Sequence, residues 1–552
     1  MSLKSHSIVS LDKQSACLQR RRIRSFNVRG LRCLSLPPAY RVPTALRWRR
    51  AFQQYRGCSA TTQVGLDLEN EQVDREGNLV PEPADELGSF SWTKQWYPVA
   101  IVEDLDESKP TPVNLFGKSL VLWRDAAAQW KCFADTCPHR LAPFSEGRIA
   151  EDGTLQCSYH GWKFDTEGAC TSVPQAESPQ QAHQAAAHPR ACATVYPSQV
   201  QHRLLWVWPE AGSTAHLEAM STEATVIPDL LHEENTAYAI PWFMRELPYG
   251  HDVLIENLLD PAHVPFAHHG VSGGGDRYQV PLSSLGQPHM LQDNHGFDTV
   301  FKQDISGKTN GSTQLQAMSK SQDAHIIFKA PNLINYKYGG ELGVQIVSYS
   351  TPTTPGNCRV LFAVVMDRRT APKRTMQLLD LKPAWLKFMD HYERNTVLDG
   401  DNCFLHMQDR KLHGEEAEGQ YYMPTSMDRA VAAFRRWMRE TAGPVPWAIQ
   451  LGPDTWKETA SRHELLDRYN QHTKHCKHCS KALEVFTVAQ RVAAGGLAAA
   501  ALAGAAALGA GQTGPSTWLN IACGTLLPAA AIWQLDVQRH KLLFVDYIQS
   551  ER

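Results

Sequence analysis

Short apolar runs separated by small polar loops begin at Trp92. Ser119–Arg124 reads SLVLWR, Trp130–Asp135 reads WKCFAD, and Leu204–Trp208 reads LLWVW before Pro209 stops it. Runs this short, bounded by polar turns, predict strands, so residues 92–210 read as a small all-β domain. From 211 to 445 the pattern mixes types. Ala324–Phe328, Leu342–Ser348 and Val360–Val365 predict strands, whereas Pro383–Asp399 and Ser426–Thr441 predict helices. The expected fold class is therefore α+β, an all-β N-terminal domain followed by a sheet carrying long helices.

Residues 446–484 are polar and contain Cys476-Lys477-His478-Cys479. Two apolar segments follow within 485–535. Val492–Ala510 holds Ala, Gly, Leu and Val without a charge, Gly511–Thr517 is a turn, and Trp518–Trp533 is a second segment with Trp at both ends. Their lengths lie near the lower limit for crossing a bilayer, and the pair predicts a transmembrane hairpin. Arg491 precedes it and Arg539 and Lys541 follow it, so both outer ends are expected on one face, with 536–552 as a tail.

The first 60 residues are Arg- and Ser-rich, and Asp12 is their only acidic residue, which predicts an organelle transit peptide. Residues 61–91 are polar, acidic and contain Pro81 and Pro83, as in a linker. The net charge of -2, without a basic run after the leader, excludes nucleic acid as an expected partner. With 13 Cys and 23 His the chain suits metal or redox chemistry better than a disulfide scaffold.

The strongest local signal is Cys137-Pro138-His139, then seventeen residues, then Cys157-Ser158-Tyr159-His160-Gly161-Trp162. Two thiolates and two imidazoles suit one four-ligand site, iron–sulfur or zinc. In a Rieske centre, two His replace two Cys on one iron of a 2Fe–2S cluster. About a hundred residues later Asn257, Asp260, His263 and His268 fall in the pattern N-x2-D-x2-H-x4-H. Two His plus one carboxylate is the ligand set of non-haem Fe(II) oxygenases, which leaves positions open for dioxygen and substrate. His269 is adjacent, but the spacing selects His268.

CPHRLAPFSEG and LQCSYHGWKFD resemble the cluster loops of Rieske oxygenases, and the chain is identified as a member of that family over about 92–545. The loops lack the additional Cys pair of the electron-transport Rieske proteins. The resemblance implies that Cys137 and Cys157 hold one iron and His139 and His160 the exposed one. It implies that Asp260 links a cluster His of a neighbouring subunit to an iron-ligating His, hence a homotrimer. Leu398-Asp399-Gly400-Asp401-Asn402, ahead of Gln408, resembles the family's D-x-D segment; Asp401 is the expected third iron ligand and Asp399 the runner-up.

LPYGHDVLIENLLDPAHVPFAHHG, and HTKHCKHCSKAL ahead of the apolar segments, resemble the pheophorbide a oxygenase branch. That branch implies a chloroplast membrane, inner envelope or thylakoid, with the catalytic part facing the stroma. It implies a ferredoxin-dependent monooxygenase with a Rieske 2Fe–2S cluster and a mononuclear iron, acting with O2 on a chlorophyll-type tetrapyrrole. A protochlorophyllide- or chlorophyllide-type oxygenase and a non-catalytic redox-sensing translocon subunit are the alternatives. Cys476 and Cys479 are read as a redox switch for a thioredoxin, which requires accessible thiols. A metal site helped by His472, His475 or His478 is the second reading.

Overall fold

The computed structural model describes residues 90–549, apart from 228–237, 240, 272–274, 279, 281, 304–322, 340–343, 368–372, 374–386, 414–420, 450, 452–454 and 457–458. The expected transit peptide, and the linker up to residue 89, lie outside the described residues, as do the first residues of the strand expected from Leu342 and of the helix expected from Pro383.

Strands β1 (Tyr97–Ile101), β2 (Thr111–Leu115), β3 (Lys118–Arg124) and β4 (Trp130–Ala134) open the first domain. Leu120–Trp123 of β3 are buried without alternation, as expected for a strand covered on both faces. β5 (Arg148–Ile149), β6 (Leu155–Gln156), β7 (Lys163–Phe164) and β8 (Cys170–Ser172) make a small antiparallel sheet. β9 (Val195–Tyr196) completes the sheet β2-β3-β4-β9, while β10 (Ser198–Gln201) and β11 (Leu204–Val207) pair beside β1.

The second domain is built on a nine-stranded antiparallel sheet. Its strands are β12 (Tyr238–Ala239), β13 (Phe243–Leu247), β14 (Ser283–Leu285), β15 (His289–Met290), β16 (Gly296–Gln303), β17 (Asp323–Lys329), β18 (Leu333–Tyr338), β19 (Gln345–Thr354) and β20 (Asn357–Asp367). The last four long strands pair in sequence order, as neighbouring segments joined by short turns do. β19 also joins the two domains. Phe116 and Gly117 N–H donate to the carbonyls of Pro352 (3.1 Å) and Thr353 (2.7 Å). Trp96, Trp206 and Trp208 share a core with Trp242 and Tyr349 across the same boundary. Full burial of one such large apolar side chain is worth about 1.5–3 kcal/mol.

Helices α1 (His251–Leu258), α2 (Val264–Ala267), α3 (Lys387–Leu412) and α4 (Arg429–Trp437) pack on the second domain. α1 stops ahead of Pro261, and Pro265 falls in the first turn of α2, where its missing N–H costs nothing. α5 (Lys477–Gly509) and α6 (Pro515–Leu543) form the C-terminal hairpin. Both are longer than the apolar runs predicted them to be; α5 begins before residue 485 and takes Cys479 into its first turn. At 1.5 Å per residue α5 is about 50 Å long, more than the ~30 Å hydrocarbon core of a bilayer. Small residues allow the helices to approach: a Cβ on Gly504 would lie 3.0 Å from Ile521, and one on Gly524 3.3 Å from Ala500. Leu502, Leu519, Leu526, Leu527 and Trp533 are exposed along the hairpin.

Candidate metal centres

The two Cys-His loops follow β4 and β6 and close in the same manner. Cys137 N–H donates to the Ala142 carbonyl (2.8 Å) and Leu141 N–H to that of Cys137 (2.9 Å). Cys157 N–H donates to Trp162 (2.9 Å) and Gly161 N–H to Cys157 (3.0 Å). The fourth residue after each Cys is left-handed, Leu141 at φ 61° and Gly161 at φ 72°. Glycine adopts this conformation freely, whereas for Leu it costs about 1–2 kcal/mol. The closures bury Cys137 and Cys157 while His139 stays exposed and His160 half-buried. His139 and His160 meet with ring centroids 4.6 Å apart, and His139 stacks on Trp162 at 4.4 Å.

Burial pushes the Cys137 thiol up to about 12, and the neighbouring Cys157 adds to the rise. A buried thiol of this kind ionises when a cation compensates it, which suits a thiolate-held metal. Partial desolvation of the His139 ring, then the nearby His160 and Arg140, hold it below its ordinary pKa, which favours the neutral imidazole a metal needs. These four residues therefore fit a Rieske cluster.

The second centre is assembled by α1, α2 and α3. His263, His268 and Asp401 present ligand atoms that all lie within 4.8 Å of one another. His268 Nε2 is 3.4 Å and His263 Nε2 3.9 Å from the Asp401 carboxylate. His263 Nδ1–H donates to the Asp260 carbonyl (2.5 Å), so its Nε2 lone pair is the one turned toward Asp401. Asn257 Nδ2 lies 3.3 Å from His263 Nε2. Burial would raise the pKa of Asp401, but His268, His263 and a hydrogen bond from Asn257 hold it below the usual value. The donor set, two Nε2 atoms and one ionised carboxylate, fits a mononuclear iron.

Neighbouring residues separate the alternatives. Asp399 turns away from this centre and is fully buried between Arg245 (2.7 Å) and Arg468 (2.6 Å). His269 faces Asp276 at 3.5 Å and accepts from Arg277 N–H at 3.2 Å. Asp260 accepts from Ala262 N–H at 2.7 Å, and its second oxygen is 3.7 Å from His263 Nδ1.

Two contributors have no motif. Beyond the hairpin, Tyr547 Oη donates to the Ala267 carbonyl (3.0 Å), and Gln549 Nε2 donates to the carbonyls of Ala267 and Gly400 (3.0 Å each). The chain's end thus straps the residue before His268 to the residue before Asp401. The accessible thiols that a redox switch requires are not found: Cys476 is 2% and Cys479 0% exposed. His472 lies with them, whereas His475 and His478 do not; His391 of α3, absent from the sequence reading, does.

A family model described as the Rieske [2Fe-2S] domain matches residues 95–193, and one described as pheophorbide a oxygenase matches residues 328–418. The chain is 34% identical over 545 residues to the chloroplastic pheophorbide a oxygenase of Oryza sativa subsp. japonica, covering 94% of this chain and 97% of that protein. It is 34% identical over 413 residues to the chloroplastic flavonoid 8-hydroxylase 2 of Ocimum basilicum, covering 72% and 74%. It is 32% identical over 437 residues to the chloroplastic protochlorophyllide-dependent translocon component 52 of Arabidopsis thaliana, covering 73% and 76%.

Proposed function

Because the chain belongs to the pheophorbide a oxygenase family of Rieske oxygenases, we propose that it is a ferredoxin-dependent monooxygenase acting on a chlorophyll-derived tetrapyrrole. The observation that carries this reading is the near full-length similarity to the rice enzyme, which covers 94% of this chain and 97% of that protein. An apolar hairpin rooted beside the helix that bears Asp401 suits a substrate that partitions into lipid.

In this reading Cys137, Cys157, His139 and His160 hold the 2Fe–2S cluster, and His263, His268 and Asp401 hold the mononuclear iron. When bound, the cluster supplies single electrons and the iron activates dioxygen. The chain sets the conditions for both. His139 is exposed and so presents the cluster's imidazole side to a donor. Asp260 leaves a partly exposed carboxylate beside His263 Nδ1, positioned to accept from an imidazole of a neighbouring subunit. A homotrimer, as the family resemblance implies, is the working unit in this reading. Asn257 bridges His263 and Asp401 and keeps both aimed at one point.

The two apolar helices anchor the chain in a chloroplast membrane, envelope or thylakoid, with the catalytic part in the stroma. Support comes from the chain on either side of the hairpin. Cys476, ahead of α5, and Tyr547, beyond α6, are both buried in the same folded body, so both hairpin ends emerge on one side.

The test is oxygen uptake by the full-length protein with reduced ferredoxin, offered pheophorbide a, protochlorophyllide, chlorophyllide or a flavone in turn, with mass detection of products. Oxygenation of a tetrapyrrole supports the proposal. Turnover of the flavone alone would overturn the substrate class, and no turnover of any would favour a redox-sensing subunit.

A further inference from the structure

A second cluster of soft ligands lies apart from both iron sites. His391 projects from α3, His472 from the turn after Arg468–Gln471, Cys476 caps α5, and Cys479 sits in its first turn. All four are buried, and their ligand atoms all lie within 4.8 Å of one another. Cys476 Sγ is 3.3 Å and Cys479 Sγ 3.6 Å from His391 Nδ1, and Cys479 Sγ is 3.3 Å from His472 Nε2. A tetrahedral centre with Zn–S of 2.3 Å and Zn–N of 2.0–2.1 Å places N and S about 3.6 Å apart. The observed spacings match that edge length. Both thiols are free rather than joined.

The surroundings hold the ligands in the orientation a metal needs. His472 Nδ1–H donates to the Met244 carbonyl (2.6 Å), which leaves the Nε2 lone pair facing the sulfur. Phe243 stacks on His472 at 4.5 Å and meets His391 edge-on at 5.3 Å, while Phe388 closes the apolar shell. Two thiolates and two imidazoles leave no open position in a four-coordinate shell. That is the signature of a structural zinc site rather than a catalytic one.

We propose that His391, His472, Cys476 and Cys479 bind a structural zinc ion that ties α3 to the foot of the α5–α6 hairpin. His391 and Asp401 share α3 and are ten residues apart, about 15 Å along the helix. The zinc therefore fixes the hairpin relative to the helix that carries the carboxylate of the iron site. It goes beyond the oxygenase reading and stands or falls without it.

The experiment is metal analysis and zinc-edge X-ray absorption on the purified full-length protein. We expect one zinc per chain alongside the iron, with two sulfurs at about 2.3 Å and two nitrogens at about 2.0 Å in its first shell. Cys479→Ser should lose zinc by more than about tenfold in affinity, with the reduced cluster's paramagnetic resonance signal retained. Should that variant fail to fold, wild-type protein produced with cobalt decides: intense thiolate-to-cobalt charge-transfer bands with tetrahedral ligand-field bands support the site. A zinc-free wild type carrying a Cys476–Cys479 disulfide would overturn the proposal and restore the thioredoxin switch. Zinc whose first shell lacks sulfur would overturn it too.

Discussion

Gly400 lies directly against His268: a Cβ at Gly400 would meet His268 Nδ1 and the Ala267 carbonyl at 3.0 Å each. Alanine inside a helix is ordinarily favoured over glycine by about 1 kcal/mol. Here the missing side chain makes room for the imidazole, so the clash decides the sign. Gly400→Ala should destabilise by about 1–3 kcal/mol and displace His268 from Asp401. Iron analysis should show depleted mononuclear iron with an unchanged cluster signal; full occupancy of both would refute the steric account.

Asp399 and Asp401 share α3 and have opposite surroundings. Removing one partner of a fully buried charge cluster costs about 3–5 kcal/mol, so Asp399→Asn should lower thermal stability sharply by unpairing Arg245 and Arg468. Asp401→Asn should leave the fold near wild type and lose mononuclear iron. Thermal unfolding and iron content, measured on both variants, separate the roles. The reverse pattern would mean that Asp399 is the ligand.

The Cys-His loops and the Asn257–His268 stretch are legible in sequence because their ligands are close together and their spacing is set by one turn or one helix. Asp401 needed a family pattern, since nothing local distinguishes it from Asp399; only Arg245 and Arg468, far away along the chain, do. His391 and the strap residues Tyr547 and Gln549 were not legible for the same reason. Each contributes through a contact between segments that no period or spacing relates. Burial of Cys476 and Cys479 was hidden by their charged neighbours, because Lys474 and Lys477 point out while the thiols point in.

His413 is held between Asp252 and Asp409, 3.3 Å from each. Burial alone would lower its pKa, but hydrogen bonds to the two carboxylates outweigh it and raise the pKa to about 10. With the folded value above the unfolded ~6.5, the stabilisation is fully present below about pH 6.5 and is lost as pH climbs through 10. For Asp252, burial acts upward, but His413, His251 and Arg435 hold it well below the carboxylate range, so its share disappears as pH falls below about 4. His413→Ala should cost about 1–3 kcal/mol near pH 6, and the difference from wild type should shrink above pH 9. A pH-independent difference in denaturant unfolding would contradict the charge assignment.

Asp260 touches His263 through both its carbonyl and its carboxylate, without being one of the three converging donors. Asp260→Asn keeps the shape and the carbonyl but removes the charge that would accept from a second imidazole. Both metals should remain, while oxidation of the reduced cluster in a single turnover slows by at least about tenfold. Wild-type rates in the variant would confine Asp260 to shaping the turn.

Tyr547 and Gln549 form a strap across the segments that carry His268 and Asp401. Tyr547 is 2% exposed, and its hydroxyl and the Gln549 amide converge on Ala267, the residue that sets the direction of His268. Gln549 also reaches Gly400, so one side chain spans the two segments that bring His268 and Asp401 together. Tyr547→Phe removes one hydrogen bond and leaves the Ala267 carbonyl to Gln549, which should cost about 0.5–1.5 kcal/mol. Tyr547→Phe with Gln549→Ala removes every one of these bonds and should cost more than the two singles added, because each residue covers for the other. The readout is mononuclear iron retained after dialysis against a chelator. It should fall little in each single variant and steeply in the double, with the cluster signal unchanged. Additive losses, or iron retained in the double variant, would show that the strap merely covers the site without holding it.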